Sequence, residues 1–354
     1  MKTLVLPIAG KSSRFPDMRP KFLLTHPSGK LMITEAVKGV SIEKFDKVVI
    51  VCLKEHEERY EFSSELIKEF NTVFSYAGIE SKLKIVYLEK ETLSQPETVY
   101  EGCKLAGVVD GGIYVKDCDN CFKMAESDFN VNFISVCNLG DFESINASNK
   151  SYVKIGNQNT ITNIAEKQII SDKFCCGGYY FKNIDDYNTF YNKLKEFKDI
   201  YISHIIFAMI LDKYNFFINE SKDYTDWGTV EAWSKFKDGY STLFIDIDGV
   251  LLENRAKHFK PKWGENETVL KENTEYINKL FNSGKHYIIL TTCRSAEFVN
   301  SITLDKQGVL YNEILTNLPH CKRILINDYS STNGYPSAQA INLKRNSDTL
   351  KEML

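Results

Sequence analysis

The stretch LVLPIAGKSSRFPDMRPKFLL, residues 4–24, decides how this chain folds. Leu4 to Ile8 is a short apolar run that reads as a buried strand, and it breaks at Ala9-Gly10 into a small, polar, basic loop. The loop carries Arg14 and, seven residues on, Lys21 behind Pro20. A strand that ends in small residues brings backbone N–H groups close to phosphate oxygens. The Arg14 guanidinium can fork onto one phosphate, and the Lys21 ammonium can sit as a point charge on another. The residues up to about 235 read as the pocket around that loop.

Working outward, strand and helix patterns alternate. KVVIVCL at 47–53 and residues 83–88 are strands, with a charged amphipathic helix from Glu55 to Phe70 between them. The loop 92–98 leads into a helix ending near Ala106, and the strand 113–115 runs into Asp117-Cys-Asp-Asn120. This rhythm predicts an α/β fold, Rossmann-like, with a mixed, mostly parallel sheet and helices on both faces. Ligands on such sheets bind beyond the carboxyl ends of the strands. The middle is richer in strand pattern, at 133–139, 152–155, 161–164 and 176–182, with a hairpin turn at Gly156-Asn-Gln-Asn159. Helices follow near 185–197 and 203–214. KFKDGYS at 235–241 is polar, and then the rhythm restarts, so the reading has two domains, 1–237 and 238–354. The second, smaller one has expected strands at 242–247, 286–292 and 323–328 and helices near 267–282 and 295–306.

Composition bounds the partners. With 354 residues, 43% apolar and 26% charged, the chain is an ordinary globular one, long enough for two cores. A net charge of −3 leaves no nucleic-acid footprint, so any anion site is local. No apolar stretch reaches membrane-spanning length, and the first run is too short for a secretory leader. Nine cysteines, an odd number unevenly spread, point to reduced thiols in a cytoplasm. Cys118-x-x-Cys121 lacks a second pair at zinc spacing, and the six histidines show no ligand spacing.

Acidic residues stand at two loop positions that should face the same sheet edge: Asp117 or Asp119, and Asp226. Two carboxylates holding Mg2+ beside a basic phosphate loop suit phosphoryl chemistry on a nucleoside triphosphate. Here the residues resemble a family. Ala9-Gly-Lys-Ser-Ser-Arg14-Phe…Pro20-Lys21 is similar to the signature loop of the sugar-phosphate nucleotidylyltransferases. Asp119-Asn120, Glu166-Lys167 with Gly177-Gly178-Tyr-Tyr-Phe181, and Asp226-Trp-Gly-Thr229 follow in that family's order. The resemblance implies that Ala9, Gly10 and the Ser12-Ser13 backbone cradle the triphosphate. It implies that Arg14 grips the departing pyrophosphate and that Lys21 stabilises charge at the α-phosphorus. Gln95, Pro96 and Thr98 would border the base, Asp119 and Asp226 would hold Mg2+, and Glu166, Lys167 and Gly178 would meet the phosphorylated acceptor. Ser12 stands where the family usually has glycine. That feature resembles the shorter cytidylyltransferase-like branch and favours CTP.

LFIDIDGVL at 243–251 is the strongest short motif. Two aspartates two residues apart at a strand end can point the same way. Asp246 can attack phosphorus, Asp248 can protonate the leaving oxygen, and Gly249 permits a sharp turn. The segment resembles the haloacid dehalogenase superfamily of phosphatases, without room for a large cap. By that likeness Thr292 and Lys322 (or Arg323) bind the phosphoryl group, and Asp246, the Asp248 carbonyl and Asp328 hold Mg2+.

The expectation is a bifunctional cytoplasmic enzyme. One domain transfers a nucleotidyl group to a phosphorylated sugar or polyol; the other removes a phosphate, in a pathway for capsule or other surface polysaccharide. Alternatives are a phosphocholine cytidylyltransferase whose second domain is a scaffold, and a nucleotide-binding regulator without turnover. A phosphocholine site needs an aromatic cage, for which Tyr179, Tyr180, Trp227 and Trp233 are the candidates. A homo-oligomer is compatible with each reading.

Overall fold

The strand β2 (Lys47–Leu53) is buried from Val48 to Leu53, as a strand covered on both faces must be. In the computed structural model, which describes residues 1–10, 12–16, 18–142, 146–297, 299, 304, 308–328 and 338–354, its neighbours are β1 (Lys2–Pro7) and β3 (Leu83–Leu88), both parallel to it. β4 (Gly112–Lys116) continues the parallel run beyond β1. Side chains alternate between two cores: Val5, Val49, Val51 and Val115 face one, and Leu4, Leu6, Val48 and Ile50 face the other. The first core is covered by α4 (Gln95–Ala106), α5 (Ile184–Leu194) and α6 (Ile202–Leu211), the second by α1 (Met32–Val37) and α3 (Ser63–Val73).

The helix expected from Glu55 to Phe70 is two. α2 (Lys54–Tyr60) ends at Glu61, whose φ is 46°, and α3 starts with Ser63 bonded by N–H and hydroxyl to the Glu57 carboxylate at 3.1 and 2.7 Å. Beyond β4 the sheet becomes mixed. β9 (Lys173–Phe181) lies antiparallel between β4 and β6 (Asn132–Asn138), and β10 (Phe216–Glu220) runs parallel to β6 at the edge. β7 (Ser151–Ile155) and β8 (Ile161–Glu166) form the hairpin around Gly156–Asn159. β5 (Asn120–Lys123) and β11 (Lys222–Asp226) pair outside the main sheet.

The chain divides into two compact units, Met1–Ser234 and Lys235–Leu354, with α7 (Val230–Asp238) carrying it across. In the second unit β12 (Ser241–Asp246), β13 (His286–Thr291) and β14 (Glu313–Leu315) form a parallel sheet in that order, with α8 (Lys271–Asn282) packed through Ile277. The third strand is therefore 313–315. Residues 323–328 form no strand, and Ile324, Leu325 and Ile326 are exposed there, so apolarity without a ladder partner was misleading. Much of the helix expected at 295–306 lies outside the described residues. All nine cysteines are free thiols, and among the described residues no helix is long and apolar enough to cross a membrane.

Candidate active site

The loop after β1 is held from inside. Phe15 is buried, and its N–H donates to the Ser12 carbonyl at 2.7 Å, closing a turn. Pro20 starts a single 3-10 turn, Lys21–Leu23, whose Phe22 and Leu23 are buried and leave Lys21 pointing out. Gly10, Ser13 and Arg14 are exposed, and Ala9 is buried at the strand end. Ser12 has φ 51°, the left-handed region that glycine enters without penalty, and its hydroxyl accepts the Lys21 N–H at 3.1 Å. The strain and the bond each count for about 1 kcal/mol. Ser12→Ala keeps the strain and loses the acceptor, so it should lower stability by about 1 kcal/mol in chemical denaturation. Ser12→Gly loses both and should stay within about 0.5 kcal/mol of the parent.

The turn after β4 is pinned by a lysine inside the protein. Lys116 is fully buried and donates to the carbonyls of Asp117 and Asn120 at 2.5 and 3.0 Å and to Asn120 Oδ1 at 2.7 Å. The turn separates two carboxylates with opposite fates. Asp119 accepts from Lys21 Nζ at 2.5 Å and from Arg14 Nη2 at 3.5 Å. Burial alone would raise the Asp119 carboxyl, yet Lys21 by charge and hydrogen bond, with Arg14 and Lys150, holds it well below the usual carboxylate range. Asp117 accepts from Gln95 Nε2 at 2.5 Å and lies against Gly177. A Cβ on Gly177 would fall 2.6 Å from Asp117 Oδ2, and its φ of 91° excludes other residues.

Burial, reinforced by the Asp119 charge, pushes Asp117 up to about 6. Its folded form binds a proton more tightly than the unfolded chain, so that stabilisation is complete near pH 4 and fades as pH rises through about 6. Asp117→Asn keeps an acceptor for Gln95 and removes the charge. Thermal unfolding should show the variant more stable than the parent by about 1–2 kcal/mol at pH 8, with the difference shrinking toward pH 4.

Asp226 reaches the same place from β11. It pairs in register with Asn120, and the Trp227 N–H donates to the Asp119 carbonyl at 2.8 Å. Its Oδ1 accepts the Gly228 N–H at 2.9 Å, and the Thr229 hydroxyl caps α7 by accepting from Ala232 at 3.1 Å. A Cβ on Gly228 would stand 3.1 Å from Asp226 Oδ1, 3.3 Å from Asp119 Oδ2 and 3.4 Å from Arg14 Nη1. Both carboxylates and the guanidinium therefore converge on one small space that this glycine leaves open. Mg2+ binds through one or two carboxylates together with phosphate oxygens, and this all-oxygen pair beside a basic loop fits it. Asp119 and Asp226 would hold the ion. Among the described residues no third His, Cys, Asp or Glu joins them.

Other expected residues are placed less simply. Glu166 Oε2 accepts from the hydroxyls of Ser151 and Ser203, the latter at 2.6 Å. Lys167, with φ 55°, donates to the Tyr201 hydroxyl at 2.7 Å. That bond raises its pKa, while the Arg14 charge opposes the rise. Gly178 turns inward: its Cβ would fall 2.0 Å from the Tyr114 hydroxyl, so it is a packing position, and Gly177 is the glycine beside Asp117. Pro96 is buried in the first turn of α4, and Thr98 is buried with its hydroxyl 2.5 Å from that of Thr92. Tyr179 and Tyr180 are buried in different cores, and Trp227 and Trp233 are buried against each other. These four aromatics make no cation cage.

In the second unit, Asp246 ends β12, and Gly249 with φ 88° makes the turn behind Asp248. Thr292 is buried and donates its hydroxyl to Asp248 at 3.2 Å. Arg294 is fully buried and binds both Asp248 oxygens, through Nε at 3.0 Å each, and Glu267 through Nη1 at 2.7 Å. Arg323, not Lys322, reaches Asp246, at 3.4 Å. Burial raises the Asp246 carboxyl; Arg323 opposes this and Asp248 adds to it. Lys322 and Asp328 are exposed on the segment that forms no strand. Arg294 holds the Asp248 carboxylate, whereas the ligand expected at that residue is its backbone carbonyl, and Asp328 lies on a segment without a strand.

Sequence reading missed three residues of these sites. Lys116 left a signal, a lone charge in an apolar strand. Arg294 left a weaker one beside Thr292. Lys150, in a polar run, left none. Its Nζ donates to Asp226 Oδ2 at 2.6 Å and to the Tyr224 hydroxyl at 2.5 Å.

No protein-family model and no curated protein matches the chain. Solved structures do. A nucleoside-diphosphate-sugar pyrophosphorylase from Vibrio cholerae RC9 is 21% identical with a TM-score of 0.55, covering 66% of this chain and 98% of its own. A UDP-glucose pyrophosphorylase complexed with UDP-glucose is 14% identical with a TM-score of 0.52, covering 67% of this chain and 97% of its own. An inositol-1-phosphate CTP transferase from T. maritima is 16% identical with a TM-score of 0.50, covering 67% of this chain and 96% of its own. The chain therefore carries the fold of the nucleotidyltransferases over about two thirds of its length.

Proposed function

We propose that the first unit transfers a nucleotidyl group, with CTP favoured, to the phosphate of a sugar or polyol and releases pyrophosphate. The convergence of Asp119, Asp226, Arg14 and Lys21 around Gly228 carries this reading. An Mg2+ ion held by the two aspartates would neutralise phosphate charge and align the displacement. Lys21 is within reach of that space and can stabilise charge developing at the α-phosphorus. Arg14, more exposed, can grip the departing pyrophosphate. Lys167 and Glu166 would meet the acceptor, with a phosphate and a hydroxyl as the complementary groups. Equilibrium titration of the full chain with each of four nucleoside triphosphates and Mg2+ tests this. CTP should bind about tenfold or more tighter than the others. Equal affinity for all four would remove the preference for CTP, and no binding would remove the transferase reading.

For the second unit we propose a phosphatase in which Asp246 attacks phosphorus and Arg323 attracts the phosphoryl group. One observation favours a second reading, a domain that does not catalyse: Arg294 occupies both carboxylate oxygens of Asp248 that a proton donor would use.

A further inference from the structure

Each carboxylate of the first site carries a lysine, and the two lysines are not equivalent. Lys21 belongs to the loop after β1, where a triphosphate would draw it away from Asp119. Lys150 comes from the other side, just before β7, and is almost buried: its side chain is 12% exposed and that of Asp226 24%. Its ammonium has two anchors, Asp226 Oδ2 and the Tyr224 hydroxyl, and lies 5.0 Å from the centre of the Tyr224 ring. Asp226 does not need Lys150 for its direction, because the Gly228 N–H fixes its other oxygen. What the ammonium does is occupy the oxygen that a metal needs.

We infer that Lys150 is a positioning residue that neutralises Asp226 until the metal arrives and exchanges with it, an inference that rests on the nucleotidyl-transfer reading above. Arg14, Lys21 and Lys150 bring three positive charges to two carboxylates. Metal entry must break the Lys150–Asp226 pair, which sets a threshold against metal alone. The anionic phosphates that accompany the metal give the displaced ammonium a new partner, so metal and nucleotide favour each other's binding. Tyr224 keeps the freed ammonium at the edge of the reaction space.

Mn2+ is a suitable probe, since it accepts the same oxygen ligands as Mg2+ and its binding is read from water-proton relaxation without turnover. Lys150→Met in the full chain should bind Mn2+ about five- to tenfold tighter than the parent in the absence of nucleotide. Lys150→Arg should restore affinity near the parent's, and Lys154→Met, which removes an exposed charge from the same hairpin, should leave it unchanged. Should Lys150→Met not fold, Tyr224→Phe decides, with tightening of about twofold expected because one anchor of the ammonium is gone. Unchanged or weaker Mn2+ binding in Lys150→Met, or in Tyr224→Phe standing in for it, would overturn the inference while leaving the transferase reading intact. A parent protein that takes up no Mn2+ even with CTP would overturn both.

Discussion

Lys21→Ala is expected to reduce nucleotidyl transfer by about 10²–10³-fold in kcat, with a smaller change in nucleotide affinity. Its side chain is 25% exposed and its ammonium lies 2.5 Å from Asp119, where phosphates would compete for it. Charge then builds on the α-phosphate oxygens in the transition state more than in the ground state, so its loss falls mainly on kcat. Arg14, 55% exposed and 3.5 Å from the same oxygen, makes a looser contact. Arg14→Ala should therefore raise KM as well as lower kcat. A single-turnover measurement with Lys21→Ala separates chemistry from binding. An unchanged rate at saturating nucleotide would remove Lys21 from the chemistry.

Asp246→Asn is expected to bring any phosphatase activity of the purified chain to background, a loss of at least about 10³-fold. The amide cannot form the acyl-phosphate, and the change is nearly isosteric at a strand end, so β12 should be unaffected. Hydrolysis of p-nitrophenyl phosphate, run beside nucleotidyl transfer on the same preparation, is the measurement. Transfer should persist in the variant. Phosphatase activity that also persisted would show that Asp246 does not catalyse and would favour the scaffold reading that the Arg294–Asp248 contact already suggests.

The parallel core was legible because strands covered on both faces need apolar residues at every position, and KVVIVCL can do little else. The short pair β5 and β11 was not, since NCFK and KDYTD carry no period of two that distinguishes them from loop. That pair is what brings Asp226 beside Asp119, so the motif order in the sequence named the carboxylates but could not join them. Nor could it choose between Asp117 and Asp119. The contact with Lys21 and the shared space at Gly228 separate them, and both depend on a turn held by buried Lys116. In the second unit the Asp246–Asp248 turn was readable from a glycine that must take a positive φ. The apolar run Ile324–Ile326 was not, because a strand is defined by its partner as much as by its own residues.

The most direct measurement is pyrophosphate release by the full chain with Mg2+, CTP and a panel of sugar phosphates, polyol phosphates and phosphocholine. Release that requires CTP and one sugar or polyol phosphate, and that Lys21→Ala abolishes, is the predicted result. Tight CTP binding with no release across the panel, or release that Lys21→Ala leaves untouched, would contradict nucleotidyl transfer at the site formed by Arg14, Lys21, Asp119 and Asp226.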